Sequence, residues 1–443
     1  MRVLLVNPPA EPPHVREGRC TQATGFWGVA WPPLTLASCA AVVHADGHET
    51  RIVDCAVERV ARERWPGLFR EADVVIAAVG NPTGEADCAF AARAKEANPR
   101  AVVMVLGTYA AALAPAVLKA HGGIDAVVMA EPEYAVRDAV RAVAGARSLE
   151  AVAGLAVRVG SVITATPARP WIEPLDALPF PRWECVDTRR YRLPVTRRKL
   201  LLVAPLRGCP FSCSFCTAPL YYGHKVRTRS PASVVQEIAR NVSAFGVHDF
   251  LMWAETFTID RAFVLELCGA LIRAGLPIRW SANSRVDTAD REMLDAMRAA
   301  GCRMVSFGIE SFSPAALEQA GKRIDAGMCE AAVRAARAAG LWTAGHFVLG
   351  LPGDTEGSVR ETVRRACALP LDLAQFYAAA PFAGSPLWRE ARVHGWVDAP
   401  EVSQSAPSLT LPGLPPRLLG AMIARAKRRF YARPRRWLGW LRH

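Results

Sequence analysis

Residues 200–216 read LLLVAPLRGCPFSCSFC, an apolar run followed by a loop with three cysteines. An uncharged run rich in Leu and Val is typical of a strand that is buried on both faces of a parallel sheet. Cys209, Cys213 and Cys216 follow this strand in the spacing C-x-x-x-C-x-x-C. We therefore expect three thiols at the carboxyl end of a barrel strand, where the active sites of such folds gather.

Downstream of this loop, short apolar runs alternate with segments of helical length. The predicted strands cover residues 200–205, 249–253, 278–282, 304–308, 343–349 and 373–378. Six β/α units are fewer than the eight of a closed barrel. The pattern therefore predicts an α/β fold, a partial (β/α)6 TIM-like barrel, over residues 198–398.

Upstream of the loop, the same alternation occurs with five strands. The predicted strands cover residues 3–6, 51–54, 74–79, 102–106 and 126–129. The predicted helices cover residues 34–45, 56–70, 86–97, 110–121 and 134–143. This order predicts a flavodoxin-like, doubly wound parallel sheet over residues 1–147. Residues 148–197 form a predicted hairpin and proline-rich linker, and residues 399–443 a basic helical tail.

Length and composition limit the class of protein. A chain of 443 residues exceeds a single core, and 51% apolar with 21% charged residues excludes a mainly disordered chain. The N-terminus does not resemble a signal peptide, and Gly and Pro interrupt the longest uncharged run, 101–118. We therefore expect a cytoplasmic protein without a membrane span. In that compartment, 12 cysteines point to metal binding or catalysis and not to disulfides.

The net charge of +13 is partly concentrated at the C-terminus, where residues 417–442 hold nine basic residues and no acidic one. Leu418, Leu419, Met422, Ile423 and Phe430 recur there at helical spacing. This spacing favours a packing helix with a solvated basic face over a surface for nucleic acid.

The three cysteines admit two kinds of metal centre. Three thiolates on one loop hold three corners of a 4Fe-4S cluster and leave the fourth iron open to another ligand. Zinc also accepts three Cys and one His, and His224 lies eight residues after Cys216. The spacing alone leaves both open, an iron-sulfur enzyme and a zinc-bearing nucleic-acid-binding protein.

The segment RGCPFSCSFC, with Phe215 before the third cysteine, resembles the signature of the radical S-adenosylmethionine (SAM) superfamily. The resemblance implies a 4Fe-4S cluster on Cys209, Cys213 and Cys216, whose open iron binds SAM. Cleavage of SAM then releases a 5′-deoxyadenosyl radical, chemistry that no amino-acid side chain supplies. It also implies an external electron donor of the flavodoxin or ferredoxin type.

Further matches to the superfamily follow the predicted barrel strands. They include the segments WAETF at 253–257, WSANSR at 280–285, GIES at 308–311 and GLPGDT at 350–355. The resemblance implies that residues of these segments bind SAM. The residues concerned are Glu255, Ser281, Asn283, Arg285, Glu310 and Gly350. Arg285 is expected to pair with the carboxylate of SAM, and Glu310 with its ribose hydroxyls.

A flavodoxin-like domain ahead of a radical barrel resembles the cobalamin-binding branch of the superfamily. This resemblance places cobalamin on the loops that follow the N-terminal strands. The residues concerned are Asn7, Gly80, Gly107, Thr108 and Glu131. The cobalt-ligating motif Asp-x-His-x-x-Gly is absent, and its nearest imitation is Asp46-Gly47-His48. This departure resembles members that hold the corrin by loop backbone and packing.

Together the two domains predict a cobalamin-dependent radical enzyme, a C-methyltransferase that acts on an unactivated carbon of a small molecule. A secondary metabolite, a lipid or a tetrapyrrole-like compound fits this expectation. The alternative within the superfamily is a cyclase or oxidative rearrangement enzyme without methyl transfer. No residue is assigned a catalytic role, and His121 and His346 are expected to be structural.

Overall fold

A computed structural model of the chain describes residues 1–10, 14–17, 20–23, 30–398 and 401–433. Its contacts divide the chain into two compact units. The first unit contains Met1–Leu201, Thr217–Arg227 and Phe382–Gly384, and the second contains Leu202–Cys216, Thr228–Pro381 and Ser385–His443. The segment directly after Cys216 therefore packs with the N-terminal unit, which chain order alone does not indicate.

The first unit is built on a seven-stranded sheet with the order β4-β1-β5-β6-β7-β8-β9. Its strands, and a separate β2-β3 pair, are β1 (Arg2–Asn7), β2 (His14–Glu17), β3 (Cys20–Ala23), β4 (Glu49–Asp54), β5 (Val74–Ala78), β6 (Val102–Leu106), β7 (Ala126–Val128), β8 (Leu155–Val159) and β9 (Val162–Ala165). The five strands from β4 to β7 are parallel, in the order 2-1-3-4-5 of flavodoxin-like folds. This order confirms the predicted doubly wound sheet. The predicted hairpin joins the same sheet as antiparallel β8 and β9.

Of the five helices predicted for the first unit, two are continuous in the structure and three are each divided into two shorter helices. They are α1 (Leu34–Ala45), α2 (Cys55–Glu58), α3 (Trp65–Arg70), α4 (Gly84–Ala92), α5 (Ala94–Ala97), α6 (Thr108–Ala112), α7 (Ala114–Ala120), α8 (Pro132–Ala144) and α9 (Ala218–Tyr222). The single helices predicted at 56–70, 86–97 and 110–121 were wrong. Arg59 ends α2 in the left-handed region at φ 54°, and Pro115 begins a new turn in α7 because it lacks an N–H.

The second unit contains a six-stranded sheet with the sequential order β10-β13-β14-β15-β16-β17. The strands are β10 (Leu200–Val203), β11 (Leu206–Arg207), β12 (Arg227–Thr228), β13 (Asp249–Met252), β14 (Arg279–Arg285), β15 (Cys302–Glu310), β16 (Trp342–Leu349) and β17 (Leu373–Ala378). Pairing from β13 to β17 is parallel throughout. Parallel strands in sequential order, separated by helices, confirm the partial barrel.

Helices cover one face of this sheet. They are α10 (Pro231–Phe245), α11 (Arg261–Ala274), α12 (Arg291–Ala299), α13 (Pro314–Gln319), α14 (Ala326–Ala338), α15 (Glu356–Ala368), α16 (Pro386–Val393) and α17 (Pro416–Tyr431). The side chains of Trp280 and Phe376 point toward this helical layer: Trp280 donates from Nε1 to Ala300 O at 2.8 Å, and Phe376 lies 6.1 Å from Phe430 of α17. Because side chains alternate along a strand, their neighbours face the inner side of the sheet.

The basic tail forms a packing helix over its described part. Leu419, Ile423 and Phe430 of α17 are buried, whereas Arg428 and Arg429 are exposed. The hydroxyl of Tyr431 donates to Ala374 O of β17 at 2.8 Å. Residues 399–400 and 434–443 of the predicted tail lie outside the described residues. Over the described part of the chain, every helix is too short or too polar to cross a bilayer.

Candidate functional site

The three-cysteine loop is fastened to the second unit by backbone hydrogen bonds on both sides of Ser214. Ser214 N donates to Ala320 O at 3.0 Å, and Ser214 O accepts from Leu387 N at 2.8 Å. Within the loop, Cys216 N donates to Cys213 O at 3.1 Å. These hydrogen bonds fix the backbone of the loop, which follows β11 directly.

The side chains of Cys209, Cys213 and Cys216 are half-buried. Burial raises the pKa of Cys213 to about 11, although the nearby charge of Lys322 opposes this shift. Among the described residues, no three His, Cys, Asp or Glu side chains stand close enough to hold a single ion, and His224 is exposed. Three thiols on one short loop are a donor set that can hold three corners of a cubane cluster.

Arg285, at the end of β14, lies against this loop. Its Nε and Nη2 donate to Asp287 Oδ1 and Oδ2 at 2.8 and 2.6 Å. Its Cζ lies 3.7 Å from the ring centroid of Phe211, and its Nη1 lies 3.8 Å from Cys213 Sγ. The bidentate pair expected with the SAM carboxylate is thus formed with Asp287 of the same segment. The predicted contact with SAM stays a prediction.

The loop after β13 brings a second set of side chains to the cysteines. Thr256 Oγ1 lies 3.9 Å from Cys209 Sγ. Glu255, which is predicted to bind SAM, is buried beside Thr256. The carboxylate therefore lies on the segment that contacts the first cluster cysteine, which is consistent with its predicted role and does not test it.

Glu310 forms a buried ion pair that the sequence did not predict. Lys322 Nζ lies 2.5 Å from Glu310 Oε1, with side-chain exposures of 4% and 9%. Glu310 has a left-handed φ of 64°, at a register shift between β15 and β16. Such strain in a non-glycine residue costs about 1–3 kcal/mol and is concentrated at functional sites. A Cβ on Gly308 would lie 2.5 Å from Glu310 Oε1 and 2.8 Å from Lys322 Nζ, so the glycine makes room for the pair.

Strand register places several polar residues in one row on the inner face. Arg285 pairs with Gly308, Gly308 with His346, and His346 with Gln375. The His346 ring is stacked on Tyr377, with centroids 5.9 Å apart and an interplanar angle of 5°. His346, Gln375 and Tyr377 are half-buried. The row runs from the cysteine loop across three strands, so we interpret this face as the floor of the site.

Sequence reasoning overlooked Lys322 and set His346 aside as structural. Lys322 follows α13 in a turn without any periodic pattern, so no local signal marks it. For His346 the sequence did hold a signal. It lies between Gly345 and Phe347 on a predicted strand, so its side chain must point to the opposite face from that of Phe347. Phe347 packs toward the helical layer at 5.2 Å from Phe376, which leaves His346 on the inner face.

The remaining predicted SAM contacts differ in their surroundings. Ser281 and Asn283 are half-buried and share the inner face of β14 with Arg285. Gly350 has φ 81°, and an added Cβ would lie 2.3 Å from Leu419 Cδ2 of α17. Glycine is therefore required here by helix packing. The predicted contact of Gly350 with SAM stays a prediction.

In the first unit, the loops at the carboxyl edge of the parallel sheet are cross-linked by buried side chains. Asn7 donates from Nδ2 to Asp54 Oδ2 at 3.3 Å, and Asp54 accepts from the Tyr191 hydroxyl at 3.0 Å. Asn81 donates from Nδ2 to Thr108 Oγ1 at 3.0 Å. Asn7 and Thr108, both predicted cobalamin contacts, therefore brace the loops from within.

Two glycines at this edge allow close backbone packing. Gly80 N donates to Asp87 Oδ2 at 2.9 Å. Gly107 has φ 126°, and an added Cβ would lie 2.2 Å from Val79 O. Gly107 is half-buried, so its backbone is accessible at the edge. A glycine backbone that is partly exposed in this way can approach a macrocycle closely, because glycine has no side chain.

Glu131 occupies the same edge but is fully engaged within the unit. Glu131 Oε2 accepts from Ile172 N and from Arg227 Nη1, both at 2.8 Å. The side chains of Glu131 and Arg227 are only 3% and 2% exposed. Glu131 therefore holds the 130–133 loop, and its predicted contact with cobalamin stays a prediction.

None of the loops 80–84, 107–109 and 130–133 contains a histidine. His48 of the imitated motif lies before β4, at the amino edge, 3.4 Å from the amino group of Met1. His121 Nε2 lies 3.2 Å from Glu85 Oε1 and precedes β7, also at the amino edge. Neither histidine is at the edge where the cofactor is expected, and the predicted structural role of His121 stays a prediction.

Comparison with known sequences gives consistent matches. The family model described as "Radical SAM superfamily" matches residues 203–366. The uncharacterized methyltransferase PH0819 of Pyrococcus horikoshii is 30% identical over 393 residues, covering 88% of this chain and 83% of that protein. The anaerobic magnesium-protoporphyrin IX monomethyl ester cyclase of Rubrivivax gelatinosus is 31% identical over 402 residues, covering 88% and 70%.

Comparison with solved structures supports the same fold. The radical SAM methyltransferase TsrM of Kitasatospora setae, solved with cobalamin and a 4Fe-4S cluster, has a TM-score of 0.70 at 22% identity and covers 97% of this chain and 81% of that chain. The cobalamin-dependent SAM radical enzyme OxsB, with aqua-cobalamin and SAM, has a TM-score of 0.71 at 15% identity, covering 89% and 60%. At these identities the likeness concerns the fold.

Proposed function

We propose, because this chain belongs to the cobalamin-binding-domain family of radical SAM enzymes, that it transfers a methyl group to an unactivated carbon of a small molecule. One observation carries the proposal. A single chain joins a three-thiol loop at the end of a barrel strand to a flavodoxin-like sheet, and a relative named a methyltransferase spans both parts. We do not propose a zinc-bearing nucleic-acid-binding protein, because the chain belongs to this family of radical SAM enzymes.

The cluster residues support the radical half of the proposal. Cys209, Cys213 and Cys216 would hold a 4Fe-4S cluster, which supplies the electron that cleaves SAM and generates a 5′-deoxyadenosyl radical. Arg285 and Phe211 keep the cysteine loop in place. Lys322 neutralises Glu310, so the inner face carries no uncompensated carboxylate at that position.

The N-terminal unit supports the methyl-transfer half. Its braced loops and the accessible backbone of Gly107 would hold cobalamin, which serves as a methyl carrier when bound. We propose that packing and backbone contacts hold the corrin, with the partly exposed backbone of Gly107 among them. This mode requires no ligand from Glu131, which Arg227 already binds.

The test is product analysis under anaerobic conditions. The reconstituted chain, with cobalamin, SAM and a reductant, is assayed against candidate small molecules by mass spectrometry. Radical methylation consumes SAM in two ways, so 5′-deoxyadenosine, S-adenosylhomocysteine and a product heavier by one methylene should appear together. Absence of both SAM-derived products with the true substrate would overturn the proposal.

A cyclase is the second candidate, because the Rubrivivax gelatinosus cyclase is as similar to this chain as the methyltransferase relative is. Such a reaction forms 5′-deoxyadenosine and a dehydrogenated or ring-closed product without S-adenosylhomocysteine. The same assay separates the two reactions, since only methylation raises the product mass by a methylene.

His346 is expected to contact the substrate, since it lies on the inner face in register with Gln375. Replacement by Gln should lower kcat/KM for the substrate by up to about tenfold, the loss of roughly one hydrogen bond. The yield of product per 5′-deoxyadenosine should fall as well, because a misplaced substrate leaves the radical unused. Iron content should not change.

His394→Gln is the matched control for His346. His394 is exposed and also stacked on an aromatic ring, that of Trp396, at 4.6 Å. The control should keep the wild-type ratio of product to 5′-deoxyadenosine. An unchanged ratio and unchanged kcat/KM in His346→Gln would show that His346 does not touch substrate.

A further inference from the structure

We propose that Arg285 is a positioning residue that raises the reduction potential of the cluster by donating a hydrogen bond to the sulfur of Cys213. The inference rests on the proposed function, because it takes Cys213 as a cluster ligand. It differs from the role that the family resemblance implies for Arg285, the binding of the SAM carboxylate.

The guanidinium of Arg285 is held on several sides. Nε and Nη2 donate to both carboxylate oxygens of Asp287, and Phe211 covers the guanidinium at 3.7 Å. The backbone of Arg285 is fixed by its pairing with Gly308. Nη1 is the nitrogen outside the Asp287 pair, and it lies 3.8 Å from Cys213 Sγ. A bidentate carboxylate pair restricts both the plane and the rotation of a guanidinium, so this approach to sulfur is preorganised.

The sign of the effect follows from the charge of the reduced cluster. Reduction adds one electron, and part of the added negative charge lies on the thiolate sulfurs. A hydrogen bond from a cation to one of these sulfurs therefore stabilises the reduced form and raises the potential. Arg285 is 5% exposed, so solvent screens this interaction only weakly.

Arg285 stays cationic in this environment. A guanidinium is always charged in proteins, and both carboxylate oxygens of Asp287 accept hydrogen bonds from it. Asp287 binds the edge of the guanidinium that is turned away from the sulfur. The pair thus acts as a dipole with its positive end toward Cys213.

The other full charges near Cys213, those of Lys322 and Glu310, form an ion pair with each other. Thr256 lies near Cys209 with a neutral hydroxyl. Arg285 combines a full charge with an N–H directed at the sulfur of Cys213.

The experiment is a redox titration of the reconstituted chain, followed by electron paramagnetic resonance in the absence of SAM. In Arg285→Gln we expect an intact cluster whose equilibrium constant for one-electron reduction is about tenfold lower, a shift of about 59 mV to more negative potential. Arg279→Gln is the matched control. Arg279 forms a similar pair with Asp249, at 3.1 and 2.9 Å, at the opposite end of β14. The control should keep the wild-type potential.

Each outcome decides the inference. A wild-type potential in an Arg285→Gln protein with full iron and sulfide content overturns it. If Arg285→Gln holds no cluster, Arg285→Lys decides: a lower potential than wild type supports the inference, and an unchanged potential overturns it. Failure of both variants to hold a cluster shows that Arg285 serves assembly and also overturns it. If the wild-type chain itself binds no iron and sulfide, the proposed function fails instead.

Discussion

Replacing Cys213 by Ala is expected to remove the iron-sulfur cluster and to reduce 5′-deoxyadenosine formation to background. Two thiolates remain in this variant, too few to hold three corners of a cubane. Cys213 is the cysteine whose sulfur Arg285 approaches and whose carbonyl accepts from Cys216 N. The measurement is iron and sulfide per chain after anaerobic reconstitution, together with 5′-deoxyadenosine formed from SAM under reducing conditions.

Cys185→Ala is the matched control for this variant. Cys185 is also a free, half-buried cysteine, but it lies in the first unit, with its sulfur 3.6 Å from Thr50 Oγ1. Its replacement should leave iron content and SAM cleavage unchanged. Full iron and sulfide content in Cys213→Ala would remove the cluster from this loop, and with it the radical mechanism.

Replacing Lys322 by Met is expected to cause the largest loss of stability in the barrel. The change leaves the buried carboxylate of Glu310 without its cation, and breaking a buried ion pair in this way costs about 3–5 kcal/mol. Glu310 also has a left-handed backbone, whose strain the pair helps to offset. The measurement is the free energy of unfolding from urea titration.

Two controls separate the buried charge from a loss of packing. The double variant Lys322→Met with Glu310→Gln removes both charges and should recover much of the lost free energy. Arg291→Met breaks an exposed pair with Asp295 at 2.8 Å and should cost no more than about 1 kcal/mol. If Lys322→Met unfolds within about 1 kcal/mol of wild type, Glu310 does not depend on this cation.

The two units differ in the polar groups that they offer to the proposed reaction. Arg285, His346 and Gln375 lie in one row of strand register that begins at the cysteine loop, and the Glu310–Lys322 ion pair lies two residues beyond Gly308 of this row. The first unit instead offers loops whose buried polar groups bond among themselves. The second unit is therefore suited to polar recognition of SAM and substrate, and the first to holding a large group by its backbone.

The sequence alone determined the two sheets and the cysteine loop. Strands buried on both faces must be apolar along their whole length, so runs such as 74–78 and 102–106 could be located from composition. The spacing of Cys209, Cys213 and Cys216 is a local property of one loop and needs no fold to be recognised. Helix interruptions at Arg59, Arg93 and Leu113 escaped prediction, because they depend on how each segment packs.

Only the tertiary structure decided which polar residues belong to the site. Lys322 meets Glu310 across a helix and a turn, and His346 enters the polar row through strand register. Asp287, two residues beyond Arg285, accepts hydrogen bonds from one edge of its guanidinium. Lysines, histidines and aspartates usually lie in water, and their sequence surroundings do not reveal burial. Their roles arise from long-range packing, which places a charge where solvent no longer screens it.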